Sequence, residues 1–148
     1  MNQIAGTIAA VETHGSVALV DVAAGRLQLS ATLLGNPGQL AAWVTGREVT
    51  VLFKETEVAI AKNLQGEISL RNRIPGRILD IETGKILTRI VIVVEGLTNE
   101  VANGVMISSV ITSRSTHRLR LAIGDQVEAL IKSNEMTIQL VTEREELL

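Results

Sequence analysis

The chain has almost no aromatic residues and no cysteine. Among its 148 residues, the only aromatic side chains are Trp43 and Phe53. A core must therefore be built from Val, Ile, Leu and Ala, and stacking on bases or sugars is disfavoured, which argues against a nucleic-acid partner. The lack of cysteine excludes disulfides, thiol catalysis and the common zinc modules, and it agrees with a reducing compartment.

Long apolar runs are also missing. No run reaches the roughly 18 residues that a bilayer span needs, and the N-terminus lacks the basic-then-apolar pattern of a signal peptide. We therefore expect a cytoplasmic protein with no membrane partner. The composition, 46% hydrophobic and 20% charged, is that of an ordered soluble protein. A net charge of −2 gives no global attraction for anions, so any anion site must be local.

The sequence contains an internal repeat. Residues 2–8 match residues 72–78 at an offset of 70, and residues 45–54 match residues 123–132 at an offset of 78. The eight additional residues of the second copy are assigned to the polar stretch 95–104, which is typical of an extended hairpin loop. The repeat predicts two domains, residues 1–63 and 64–142. Residues 143–148 are predicted to be a polar C-terminal tail.

Strand-period patterns recur in both copies. They cover residues 6–11, 17–22, 48–53 and 58–60 in the first copy, and 76–81, 87–94, 105–111 and 126–131 in the second. Short β-branched runs between Gly, Asn and Asp turns indicate an all-β fold of two tandem small barrels. One short helix is predicted in each copy, over residues 39–44 and 115–121, ending near Gly46 and Gly124. Because copies of about 65–75 residues are marginal in size, they should pack on each other and on other chains.

Catalytic motifs are absent from the sequence. There is no Walker loop, dinucleotide-binding glycine pattern, nucleophile elbow or His-rich ligand spacing. His14 and His117 stand alone, and neither is predicted to be catalytic. We expect no enzyme activity and no catalytic cofactor.

Hydroxyl groups accompany fixed positive charges at three predicted strand edges. The three clusters are residues 69–72, 112–115 and 132–133. Hydroxyls, a guanidinium, an ammonium and turn amides suit a small tetrahedral oxyanion. The same residue types are also compatible with ordinary turns and solvated strand edges. No member is basic enough to accept a proton at neutral pH, so the pattern favours binding over catalysis.

These clusters and their surroundings resemble the molybdenum-pterin-binding (Mop, or molbindin) family, here as a tandem di-Mop pair of TOBE-like domains. The landmarks are residues 68–72 leading to Gly76, residues 110–115, 119–124 and 127–133. The resemblance implies an OB-like barrel in each copy, with molybdate, and often tungstate, bound at contacts between domains. It also implies storage or homeostasis of the oxyanion and a homo-oligomer, since tandem members are typically trimers.

The resemblance also implies a set of ligands. Carried over residue by residue, the oxyanion ligands fall on Ser69, Arg71, Thr112, Ser115, Lys132 and Ser133. Asn72 belongs to the same motif and is expected to shape the turn more than to bind the anion.

The first copy departs from this pattern. No Ser-x-Arg element precedes Asn2 in the sequence, Gly35 replaces the Ser115 equivalent, and Glu55 replaces the Ser133 equivalent. A carboxylate beside a dianion is repulsive, so a site that uses Glu55 is disfavoured.

Three interpretations of the first copy remain open. Hybrid sites could join Ser69 and Arg71 to Thr32 and Lys54, which are the candidate first-copy contributors. The chain could instead have fewer sites than a symmetric member. The third interpretation is a ligand-sensing C-terminal module of a molybdate-responsive transcription regulator or a molybdate-importer ATPase, in which such tandem domains occur.

Overall fold

The structure is a computed structural model that describes residues 1–97 and 104–141. The first copy contributes β1 (Asn2–His14), β2 (Val17–Ala24), β3 (Leu27–Leu34), α1 (Pro37–Leu40), β4 (Glu48–Phe53) and β5 (Ala59–Ala61). The second contributes β6 (Asn72–Thr83), β7 (Leu87–Val94), β8 (Met106–Thr112), α2 (Ser113–Arg118), β9 (Gln126–Ile131) and β10 (Thr137–Leu140). Short 3₁₀ helices follow β4 at Glu55–Glu57 and β9 at Ser133–Glu135.

Two five-stranded antiparallel sheets carry the fold. Their strand orders are β10-β4-β1-β2-β3 and β5-β9-β6-β7-β8. The all-β prediction is confirmed, and both repeat offsets appear in the pairing registers. Asn2 pairs with Phe53 in one sheet, and Asn72 pairs with Ile131 in the other. The predicted 95–104 loop lies partly, and the 143–148 tail wholly, outside the described residues.

Each sheet takes its outer strand from the opposite copy. β5 pairs with β9 through Ala59 and Leu130, while β10 pairs with β4 through Ile138 and Val51. The barrel that each sheet outlines is therefore completed by the other copy. The domain boundary at residue 63 remains a prediction. Because β5 and β10 each join the sheet of the other copy, both sheets contain residues from both sides of this boundary.

The two helices begin earlier than the sequence pattern predicts. Each starts two residues before its predicted first residue, because the side chains of Asn36 and Thr112 cap backbone N–H groups at the N-terminus. Asn36 and Gln39 complete a reciprocal capping box. The helices end at Leu40 and Arg118, ahead of the glycines expected to terminate them.

Gly46 and Gly124 anchor bulges in the long first strands. Their φ angles of 94° and 93° suit glycine. Each donates its N–H to a strand carbonyl, Gly46 to Ile8 at 2.9 Å and Gly124 to Ile78 at 2.8 Å. The pairing of β1 with β2 and of β6 with β7 shifts directly after these two isoleucines. The glycines thus set strand curvature and not helix termination.

The core is aliphatic and continuous across both copies. Ile74 and Val51, from opposite copies, are both 0% exposed and belong to the same buried cluster. Phe53 is the only fully buried aromatic side chain, and Trp43 packs partly buried at its edge. This agrees with the expectation of a core made from Val, Ile, Leu and Ala.

Two buried asparagines bridge the copies in matching ways. Asn72 Nδ2 donates to the Ser30 carbonyl at 2.9 Å, and the Ser30 N–H donates to Asn72 Oδ1 at 2.7 Å. Asn2 makes the same reciprocal pair with Ser108, with both distances 2.8 Å. These contacts relate the copies by an approximate twofold and fix their relative register.

Candidate functional site

One cleft joins four of the predicted ligands. It has a volume of about 470 Å³. Its second-copy lining is Ile68, Ser69, Leu70, Arg71, Lys132 and Ser133, and its first-copy lining is Leu19 and Ser30. The structure therefore brings together two of the three clusters singled out in the sequence, and it does so against the other copy.

Strand pairing explains why these clusters meet. Residues 68–71 run directly into β6, and Lys132 and Ser133 directly follow β9. Because the first residue of β6, Asn72, pairs with the last of β9, Ile131, the adjoining segments leave the sheet at the same edge. Antiparallel pairing thus places Ser69 and Arg71 beside Lys132 and Ser133.

A first-copy hydroxyl reaches Ser133. Thr32 Oγ1, on β3, lies 2.8 Å from Ser133 Oγ. Lys54 does not line this cleft, because it precedes the 3₁₀ helix Glu55–Glu57 that packs near β8. Within the chain, Thr32 therefore contacts a residue of the cleft and Lys54 does not line it, and the hybrid site that would use both stays a prediction.

The cleft is electropositive within the part of the chain that the structure describes. Among those residues, neither the Arg71 guanidinium nor the Lys132 ammonium has a carboxylate oxygen within 4.0 Å. Both side chains are exposed. The Ser30 hydroxyl is different, because it donates to the Asp21 carboxylate and is already used. The donors open to an anion are therefore Arg71, Lys132 and the hydroxyls of Ser69 and Ser133.

Arg73, two residues after Arg71, is committed to an ion pair. Its guanidinium donates to both carboxylate oxygens of Glu128, at 2.8 and 2.7 Å. These hydrogen bonds lower the pKa of Glu128 and raise the pKa of Arg73. The pair braces β6 against β9 and supports the edge from which Arg71 extends.

Thr112 and Ser115 lie apart from the cleft. Thr112 Oγ1 caps α2 by accepting from the Ser115 N–H at 3.1 Å, and it donates to Ser115 Oγ at 2.9 Å. Thr112 lines a separate cavity of about 320 Å³ with Lys85, Ile86 and Arg114. Within one chain, the six predicted ligands thus form two groups.

Asn72 is 0% exposed, and both polar atoms of its side chain are used by Ser30. Asn72 does not line the cleft itself but is hydrogen-bonded to Ser30, which does. Sequence reasoning missed Leu19 and Ser30 as lining residues. The repeat offset of 78 did offer a signal for Ser30, because it aligns Ser30 with Ser108, the partner of Asn2.

Other functional classes find no support in the described residues. Residues 1–97 and 104–141 contain no group of three or more His, Cys, Asp or Glu side chains able to hold a metal ion. Neither helix in these ranges has the length and apolarity of a membrane span. His14 and His117 are exposed, at the end of β1 and within α2.

Residues 68–138 match the model of the TOBE domain family. This match covers just under half of the chain. The match spans both clusters of the cleft, from Ser69 to Ser133, and the α2 cap between them. It ends inside β10, the strand that the TOBE segment contributes to the first-copy sheet. Comparison with curated protein sequences finds no significant match.

Comparison with solved structures gives the fold of the whole chain. The chain is similar to the cytoplasmic molybdate-binding protein ModG, in a crystal form with molybdate bound, with a TM-score of 0.85 and 24% identity. The similarity covers 95% of this chain and 96% of that one. The TOBE segment therefore lies within a two-barrel, OB-like fold that extends over both copies.

Proposed function

We propose that this chain binds molybdate in the cleft formed by Ser69, Arg71, Lys132 and Ser133. The observation that carries the proposal is the pairing of two cations with hydroxyl donors, with no carboxylate partner among the described residues for either cation. A tetrahedral dianion accepts hydrogen bonds on every oxygen, so such a cleft can replace its hydration shell. The name of the similar structure, a molybdate-binding protein, supports the choice of ligand.

The proposed role is binding without catalysis, for storage or buffering of the oxyanion in the cytoplasm. The lining holds acceptor and donor groups but no general base beside the two cations, which supports binding over turnover. Tungstate has nearly the size and charge of molybdate, so we propose that it binds in the same cleft. Sulfate shares the charge and shape but is smaller, and we expect it to bind less tightly.

We further propose that the chain forms a homo-oligomer, with a trimer as the expected form. Large aliphatic side chains are exposed at the ends of the hairpins, Leu34 by 80% and Ile86 by 74%. Ile86 lines the second cavity beside Thr112 and Arg114. In the proposed assembly, this second group completes the anion site of a neighbouring chain. Native mass spectrometry of the intact assembly tests the oligomeric state.

Calorimetric titration of the full chain with molybdate tests the binding site. Arg71→Ala and Lys132→Ala are each expected to weaken binding by about 10- to 100-fold, because each removes a charge-assisted hydrogen bond of about 1.5–3 kcal/mol. Lys54→Ala, at the position in the first copy that corresponds to Lys132, and Arg77→Ala, on an exposed part of β6, are the matched controls. Both should leave the affinity unchanged.

Two results would contradict the proposal. One is no molybdate binding by the intact oligomer. The other is an affinity that Arg71→Ala and Lys132→Ala leave unchanged. A parallel titration with sulfate separates recognition of molybdate from general attraction of a dianion.

A further inference from the structure

The approximate twofold defines a counterpart of the cleft in the opposite half of the molecule. Leu19 pairs with Thr32 across β2 and β3, and Arg89 pairs with Val110 across β7 and β8. The repeat offsets of 70 and 78 relate these two pairs to each other. The counterpart of the cleft therefore lies beside Arg89 and Val110. At the corresponding positions the cleft has its lining residue Leu19 and Thr32, which contacts Ser133.

The 3₁₀ helices extend this correspondence. Lys54 and Glu55 precede Lys132 and Ser133 by 78 residues, and both pairs lie at the start of a 3₁₀ helix that follows a paired strand. The counterpart thus keeps the lysine but replaces the serine hydroxyl with a carboxylate. Met1 stands in the sequence at the counterpart of Arg71.

The Glu55 carboxylate is bound by a cation of its own chain. Arg89 Nη2 donates to Glu55 Oε1 at 3.2 Å, and Arg89 Nη1 lies 3.8 Å from Glu82 Oε1. The hydrogen bond and charge of Glu55 raise the pKa of Arg89, with smaller contributions from Glu82 and Asp80. Arg89, whose counterpart in the cleft is Leu19, therefore binds the carboxylate of Glu55, whose counterpart in the cleft is Ser133.

We propose that Glu55 is an internal substitute for the oxyanion: its carboxylate, held by Arg89, occupies the counterpart of the cleft and closes it to external dianions. This inference rests on the proposed function of the cleft itself. A tethered carboxylate needs no association from solution, and its charge repels a second anion. Each chain accordingly carries one anion cleft of this kind and not two.

Counting bound molybdate per chain tests this inference, by native mass spectrometry and calorimetry on the full-length protein. The wild-type chain should bind one molybdate in this type of cleft. Glu55→Ser restores the hydroxyl present at Ser133 and releases Arg89, so it should raise the count by one per chain. The added site should be weaker than the first by about tenfold or more, because no Arg71 counterpart is present.

Two further variants identify the source of the gained site. Adding Arg89→Leu to Glu55→Ser supplies the residue type found at Leu19 and should abolish the gain. Glu57→Gln, in the same 3₁₀ helix, should leave the count unchanged. Urea unfolding of each variant verifies that it is folded.

The outcomes separate the two proposals. If the wild-type chain binds no molybdate, the proposed function fails. If the wild-type chain binds one and a folded Glu55→Ser variant also binds one, only the internal-substitute inference is overturned. The inference is equally overturned if the wild-type chain binds two, with Arg71→Ala removing only one of them.

Discussion

Thr32 and Ser133 are 101 residues apart in the chain, yet their hydroxyl oxygens lie 2.8 Å apart. One hydroxyl comes from the second half of the first-copy strand β3, and the other from the 3₁₀ helix that follows β9 of the second copy. Their hydrogen bond orients the Ser133 hydroxyl at the rim of the cleft. The proposed second-copy ligand Ser133 is thus positioned in part by Thr32 of the first copy.

Thr32→Val is expected to weaken molybdate binding by about three- to tenfold. Valine keeps the shape of threonine but removes the partner of the Ser133 hydroxyl, which corresponds to the loss of one neutral hydrogen bond. Calorimetric titration measures the change, and Thr7→Val, on an exposed part of β1, is the control. An affinity equal to that of the wild type would show that Thr32 has no positioning role.

Asn72→Ala is expected to lower the free energy of unfolding by about 2–4 kcal/mol. The substitution leaves the buried N–H and carbonyl of Ser30 without partners, and each such group costs about 1–3 kcal/mol. Asn2→Ala should have a similar effect through Ser108. Urea unfolding measures both changes.

The control for these two variants is Asn134→Ala, at an exposed position. It should change stability by less than about 0.5 kcal/mol. If Asn72→Ala behaved like this control, the reciprocal hydrogen bonds would contribute nothing to the junction of the copies.

Asp125→Asn is expected to reduce stability at neutral pH but not in acid. Lys62 donates to Asp125 Oδ2 at 3.0 Å, and the Ala122 N–H donates to the same atom at 2.9 Å. Both hydrogen bonds hold the pKa of Asp125 below its ordinary value. The carboxylate therefore stabilises the folded state above the ordinary pKa of about 3.9, and this contribution disappears as the pH falls through the lowered pKa.

Urea midpoints measured from pH 7 to pH 2 check this prediction. The wild type should be more stable than Asp125→Asn at pH 7, and the two should converge at the acid end. Asparagine still accepts from the Ala122 N–H, so the difference isolates the charge. Glu12→Gln, at an exposed position on β1, should follow the wild type throughout. A constant difference between the wild type and Asp125→Asn at all pH values would contradict the assignment.

Separate chains of residues 1–63 and 64–148 are expected to require each other. The first would lack β10, the partner of β4, and the second would lack β5, the partner of β9. Hydrogen exchange of β4 amides should be fast in the isolated 1–63 chain and slow by at least about tenfold when both are mixed. Protection of β4 in the isolated chain at the level of the intact protein would contradict this expectation.

The repeated pattern predicts much of the fold, because the β-branched residues that recur in it favour strand conformation. The β-branched runs of β4, β7 and β9 mark the strands, and the offsets of 70 and 78 reappear in the pairing registers. β3 escapes prediction because its sequence, LQLSATLL, contains threonine as its only β-branched residue. β10 is not predicted either, although its start lies 78 residues after the start of β5 and the repeat therefore offers a signal for it.

The strand exchange could not be read from the pattern of the sequence. The alternation of residues in β5 or β10 shows which face of the strand is buried. It does not show which of the two similar sheets the strand joins. Lys62 illustrates the same limit. It follows β5, and its hydrogen bonds to Asp125 and to the carbonyls of Leu119 and Arg120 exist only because β5 joins the second sheet.

The candidate site, like the fold, can be predicted from the sequence only in part. The clusters at Ser69 and Lys132 are visible in the sequence because hydroxyls adjoin charges at strand edges. Their meeting depends on the pairing of Asn72 with Ile131, which the sequence does not specify. The capture of Glu55 by Arg89 requires two elements from different copies to pack together, so the sequence shows only the unfavourable carboxylate.

The pairing of β4 with β10 also determines when the molecule can finish folding. During synthesis, the first-copy strands emerge long before residues 137–140, and Val51 must wait for Ile138, 87 residues later in the chain. Until then, the nascent first half exposes one edge of β4 without a partner, and such an edge can pair with other chains. Closure over so long a separation also favours slow folding. The newly made chain therefore passes through a period in which protection of that edge decides between folding and aggregation.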